Sequence, residues 1–182
     1  MNLKLFSSAL LIAGLAAPSA FAETGTITFK GAISNVTCTV DGEGSGGPNF
    51  EVDLGSVSAG DFAAPGDNQG MHGFRIQIGK TGENSCTNGT RVYATFDADG
   101  ALVDPNTGMV RVNGTAKGVQ IRLFNETGDK INAWSADQKV VTKVVEGNMA
   151  MIFHAAAFER TDDMVAGTAN GQVKYTINYE AP

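Results

Sequence analysis

Gly25-Thr26-Ile27-Thr28-Phe29-Lys30-Gly31-Ala32-Ile33 alternates without a break. Gly25, Ile27, Phe29, Gly31 and Ile33 fall on one face of an extended strand, and Thr26, Thr28, Lys30 and Ala32 on the other. Successive side chains of a strand point to opposite faces, so a period of two is a β signal. The β-branched and aromatic content agrees with it. Two features set this strand apart. It lies close to the start of the exported chain, and its apolar face carries a glycine among large residues.

Residues 1–22 have the layout of a secretory signal peptide, with Lys4 in the n-region, an apolar run over residues 5–15 and Ala20-Phe21-Ala22 as the small-x-small cleavage site. The apolar run is shorter than the roughly 20 residues a membrane-spanning helix needs. Cleavage removes one of 13 basic side chains and none of 19 acidic ones, which leaves a net charge of −7. Scattered acidic charge does not suit nucleic-acid binding, which needs clustered Lys and Arg. The chain is expected to be exported. Its two cysteines, Cys38 and Cys86, therefore read as one disulfide closing a long loop.

Glycine is abundant, 23 of 182 residues, and charged residues make up only 18%. Short alternating runs recur through the chain: residues 34–40, 50–55, 74–78, 91–96, 108–113, 118–124, 139–144, 149–160 and 173–179. A short helical turn is expected near residues 59–63, and residues 56–73 otherwise look irregular. Strand signals about every 10–15 residues, with no long helix between them, point to an all-β sandwich.

No constellation of catalytic residues is legible. His72 and His154 are far apart, and His154 sits in an apparent strand as a surface or core-edge residue. Gly42-x-Gly44-x-x-Gly47 matches a dinucleotide fingerprint as a string, but no amphipathic helix follows to receive a pyrophosphate. Asp97, Asp99, Asp104 and Asn106 crowd one loop without the spacing of a calcium loop, so they read as turn residues. No enzyme activity, cofactor or metal is expected.

The residues resemble the type 1-like pilin subunits of the chaperone–usher pathway of Gram-negative bacteria. Gly-x-Ile-x-Phe-x-Gly-x-Ile before Cys38 is similar to that family's N-terminal extension. Phe74-x-Ile76-x-Ile78 before Cys86, Gly118-Val119-Gln120-Ile121, Gly167-x-Ala169 and Tyr175-x-Ile177-x-Tyr179 resemble its later motifs, in the same order. The resemblance implies an incomplete immunoglobulin-like sandwich that lacks its last strand and is completed by a donor strand. It implies a signal peptide at 1–22, a donor extension at 23–35 and a pilin domain at 36–182. Gly25, Ile27, Phe29, Gly31 and Ile33 would fill successive pockets of a neighbouring subunit, with Gly31 where the groove has no room for a side chain. Val173, Tyr175, Ile177 and Tyr179 would line the acceptor groove and the edge held by the periplasmic chaperone before the outer-membrane usher exchanges it. The implied product is a cell-surface fimbria that supports adhesion; the alternative is an adhesive minor or tip-adaptor pilin with a receptor-binding surface. One departure is that Glu180-Ala181-Pro182 follow Tyr179, whereas the family often ends one residue past this tyrosine.

Overall fold

A computed structural model describes residues 36–180. The expected signal peptide at 1–22 and the expected donor extension at 23–35, with Gly25, Ile27, Phe29, Gly31 and Ile33, lie outside them. Eight strands form two antiparallel sheets. The first has the order β1-β2-β7-β4-β5: β1 Val40–Gly42, β2 Asn68–Gly79, β7 Met149–Val165, β4 Lys117–Asn125 and β5 Lys130–Ile131. The second has the order β6-β3-β8: β6 Lys143–Val144, β3 Arg91–Phe96 and β8 Tyr175–Glu180. The only helix among the described residues is a 3-10 turn at Ala59–Asp61, capped by Ser58.

The period-two pattern explains which faces meet. β2 turns Phe74, Ile76 and Ile78 inward; β7 contributes Ala150, Ile152, Ala156 and Phe158; β4 contributes Val119, Ile121 and Leu123. They face Val92, Ala94 and Phe96 of β3. A register slip of one residue would reverse every one of these faces, so the buried side also fixes the pairing. Each large side chain buried here contributes about 1.5–3 kcal/mol.

Several sequence expectations need correction. β2 begins at Asn68, inside the stretch read as irregular, because a bulge between Gln69 and His72 lets six further residues join β7. Residues 36–39 are not strand, and the first strand starts at Val40. Residues 108–113 make only isolated bridges, through Val110 and Asn113. The run 139–144 reduces to the two-residue β6. In the last three cases alternation is present but a neighbouring backbone is not continuous enough to form a ladder of that length.

Cys38 and Cys86 are joined, with their Cα atoms 4.6 Å apart. The bridge lies beneath Gly79, whose φ of +71° and close approach to Cys86 and Asn148 leave no space for a Cβ. The paired variant Cys38→Ser, Cys86→Ser is expected to lose roughly 2–4 kcal/mol, because its unfolded chain regains the freedom of the opened loop. Urea unfolding of the subunit measures this, and an unchanged midpoint would contradict it.

His154 is not at the surface or the core edge: it is buried between the sheets. Its ring stacks on Phe74 at 5.6 Å and meets Phe96 edge-on at 5.2 Å. Its Nδ1 has no hydrogen-bond partner. Burial holds its pKa down to about 4, against a weaker opposing pull from Glu126. The folded state thus keeps the ring neutral while the unfolded chain takes up a proton near pH 6.5. Stability is therefore full above that pH and falls as pH drops towards 4, by up to about 3 kcal/mol. Comparing wild type with His154→Leu between pH 7 and 4.5 checks this; an identical pH slope in the two would refute it.

Candidate functional site

β8 lies at the edge of its sheet. It pairs antiparallel with β3 from Arg91↔Glu180 to Phe96↔Tyr175, and no strand among the described residues pairs with its other side. Alternation assigns its side chains. Tyr175, Ile177 and Tyr179 turn towards the core cluster of Ile76, Ile78, Cys86 and Val92 but are only half-buried. Thr176 and Asn178 point away, donating hydrogen bonds to Asp97 Oδ1 and Thr95 Oγ1, both at 3.0 Å. Val173, just before β8, packs on the other core cluster. The four residues expected to line a groove are thus brought together on one apolar strip. Burial raises the pKa of both tyrosines, with the nearby Glu83 carboxylate adding to the rise at Tyr179.

The facing wall is one that sequence reasoning missed. Residues 50–54 alternate as a strand would: Phe50, Val52 and Leu54 are half-buried against the core and Glu51 and Asp53 are exposed; past Gly55 the phase shifts, and Val57 packs on the same cluster. Residues 50–55 were expected to be a strand, yet the segment joins no ladder. Among the described residues, none of its backbone groups bonds another backbone group, and the Gly55 N–H donates instead to Asp53 Oδ1 at 2.8 Å. Its alternation was the available signal; that it faces β8 was not readable.

The two walls meet at Tyr175. Its hydroxyl donates to the Pro48 carbonyl at 2.6 Å, and its ring meets Phe50 edge-on at 6.1 Å. The strip is therefore closed over at Tyr175 and open along Ile177 and Tyr179. A half-buried apolar strand with one unpaired edge, beside a segment without backbone bonds, can accept an extended chain: main-chain bonds give affinity and alternate side chains enter the gaps.

At the other end of β8 a clamp secures the start of the described chain. Glu83 accepts hydrogen bonds from Thr39 N and Thr39 Oγ1, both 2.7 Å long, and Thr37 N donates to Ser85 O at 3.3 Å. The Thr39 hydroxyl's bond is the main cause holding the Glu83 carboxyl below its usual range. With the Cys38–Cys86 bridge between them, these bonds tie residues 37–39 to the loop after β2.

The crowded aspartates are turn residues, as expected: Asp99 Oδ1 accepts from Ala101 N at 3.0 Å and Asp104 Oδ1 from Asn106 N at 2.9 Å. His72 and His154 do not come together, since one lies on an exposed bulge and the other in the core.

Comparison with known proteins gives a consistent result. The family model described as "Fimbrial protein" matches residues 27–180. The chain is 31% identical to the major fimbrial subunit SMF-1 of Stenotrophomonas maltophilia (strain K279a), over 90% of this chain and 98% of that protein. It is 29% identical to an F17 fimbrial protein of Escherichia coli, over 93% of this chain and 95% of that one. A solved chaperone–usher pilus subunit superposes with a TM-score of 0.57 at 16% identity, over 90% of this chain and all of the other.

Proposed function

This chain belongs to the fimbrial protein family, and from that premise we propose that it polymerises by giving residues 25–33 to the groove between β8 and residues 50–57 of a second subunit. It is a structural subunit of a cell-surface fimbria rather than an enzyme. The observation that carries the donor-strand reading is that β8, whose apolar side chains are half-buried, has no strand on its outer side among the described residues, while residues 50–57 beside Tyr175 form no backbone–backbone bond there. A relative's designation as a major fimbrial subunit supports a role in the fibre shaft.

The register follows from the closed point at Tyr175. Laid antiparallel to β8, the donor sets Ile27 against Tyr179, Phe29 against Ile177, Gly31 against Tyr175 and Ile33 against Val173. That order brings the residue without a side chain to the place where Tyr175, Phe50 and Pro48 leave least room. A parallel donor that kept Ile27 on Val173 would instead set Phe29 there. Burial of Ile27, Phe29 and Ile33 contributes about 1.5–3 kcal/mol each. Because each subunit both gives and receives, the contacts run head to tail and do not close, which generates an open fibre.

Before assembly the same groove would be covered by a periplasmic chaperone and then emptied at an outer-membrane usher, with the signal peptide at 1–22 directing export. The resulting fimbria would serve adhesion. Purification of the subunit without a chaperone tests the reading: it is expected to polymerise or aggregate, and fibres are expected on producing cells by electron microscopy. A stable monomer that does not polymerise would refute it.

A further inference from the structure

We propose that the outer face of the first sheet, the face turned away from β3 and β8, binds a neutral sugar ring. A trough of about 710 Å³ lies there, within the roughly 300–1,000 Å³ usual for small-molecule sites. Cross-strand partners build it. Gly73 of β2 stands opposite Ala155 of β7, and Ala155 opposite Phe124 of β4. Two strand spacings make this floor about 10 Å wide. One step along the sheet, Arg75 stands opposite Phe153. These positions face outward, because their chain neighbours Phe74, Ile76, Ile152 and Leu123 belong to the core. Glu43, just after β1, and Glu126, just after β4, complete the walls.

Gly73 is the first sign of an occupant. Its φ is not positive, and a Cβ built on it would meet only the His154 carbonyl, at 3.8 Å. Neither the backbone nor packing within the subunit therefore requires glycine there, and glycine weakens a strand interior. What it provides is open space over the middle of the floor, where a molecule from outside can reach the backbone. Phe153 is the second sign: it is 47% exposed beside that space. The chemistry of the walls then selects the class. A wholly apolar ligand would desolvate Glu43, Glu126 and Arg75 without return. An ionic ligand would meet charge of both signs. A neutral pyranose offers C–H groups to the Phe153 ring. Its hydroxyls donate to carboxylates and accept from a guanidinium. Both carboxylates are already held in place. Glu43 accepts from Arg75 N, and Lys143 Nζ donates to Glu126 Oε1 at 2.5 Å. A donor strand beside β8 lies in the other sheet and does not enter this face. Each subunit of a fibre would thus carry one trough, and weak single contacts would add along its length.

Saturation-transfer NMR on the full exported chain, as fibres or as the monomer if it forms none, tests this. The probes are the methyl glycosides of mannose, galactose and N-acetylglucosamine, with glucuronate and hexanoate as charged and apolar comparators. At least one neutral glycoside is expected to receive saturation, strongest on its ring C–H protons, and the comparators none. Gly73→Val fills the floor with a strand-favouring side chain. It should leave the melting temperature unchanged or higher and cut the signal at least about fivefold, the lower end of an overpacking penalty. Phe153→Ser, at an exposed position, should cut it as well, so the result does not hang on one variant. A signal that persists in both variants, no signal from any neutral glycoside, or a signal from glucuronate or hexanoate alone would overturn the proposal. None of these outcomes bears on donor-strand exchange, whose failure shows separately as a stable monomer.

Discussion

Replacing Gly31 by valine is expected to cut fibre assembly about five- to a hundredfold, the effect of an overpacking penalty of about 1–3 kcal/mol, and replacing it by arginine should abolish it. In the proposed register Gly31 faces Tyr175, whose hydroxyl is tied to Pro48 and whose ring is braced by Phe50. A side chain added at Gly31 must either break that tie or hold the donor strand away from β8 and lose its main-chain bonds. In the proposed arrangement Gly31 enters the neighbour's groove and not its own subunit's core, so the variant's own fold and its capture by a chaperone should be unchanged. The measurement is fibre yield by electron microscopy beside periplasmic subunit level. A second variant fixes the register. Tyr175→Ala opens the closed point and should partly restore assembly to Gly31→Val, whereas Ile177→Ala should not. Rescue by Ile177→Ala alone would show that the donor lies parallel, and unimpaired fibres from Gly31→Arg would refute the register outright.

The largest stability effect is expected on the opposite face of the molecule. Arg122 and Glu159, on adjacent strands β4 and β7, form a two-pronged ion pair with both bonds at 3.0 Å, and both residues are buried. Arg122 also donates to the carbonyls of Thr107 and Ile131, and Lys130 Nζ reaches Glu159 at 2.9 Å. Burial alone would raise the Glu159 carboxyl; hydrogen bonds and charge from Arg122 and Lys130 outweigh it and hold it low. Breaking such a pair from one side strands a buried charge at a cost of about 3–5 kcal/mol, equivalent to a melting temperature lowered by about 10 °C. Glu159→Leu should cost more than Arg122→Leu, because Lys130 can still neutralise Glu159 in the latter. The double variant should recover much of the loss, since apolar replacement of both partners removes the desolvation cost as well. Thermal melts of the three variants decide the matter, and equal, small losses below about 1 kcal/mol would show that the pair is not effectively buried.

The two results together show how far the chain's pattern could be read. Strands β3, β4 and the second half of β2 follow from strict alternation, because each has a continuous neighbour and one wet face. Residues 50–55 alternate equally well and are not a strand. A strand exists only where another backbone receives its hydrogen bonds, and no local pattern reveals a partner that is missing. His154 was misplaced for a related reason. A histidine on an alternating run is ambiguous between faces, and its burial was decided by the two phenylalanines that enclose it. The groove's second wall and its closure by Tyr175 and Pro48 join residues more than a hundred positions apart.

By itself, then, the sequence determined the class of the molecule: an all-β chain of the fimbrial family with one disulfide, an alternating segment near its front and a long alternating run near its end. Those are local properties, set by the period of side-chain direction, by export and by cysteine chemistry. Only the tertiary structure decided that the last strand lies at a sheet edge, that residues 50–57 face it without a backbone partner, and that the strip between them narrows at Tyr175. These depend on which backbones come within hydrogen-bonding distance, which is settled when two sheets pack and not by any one stretch of chain.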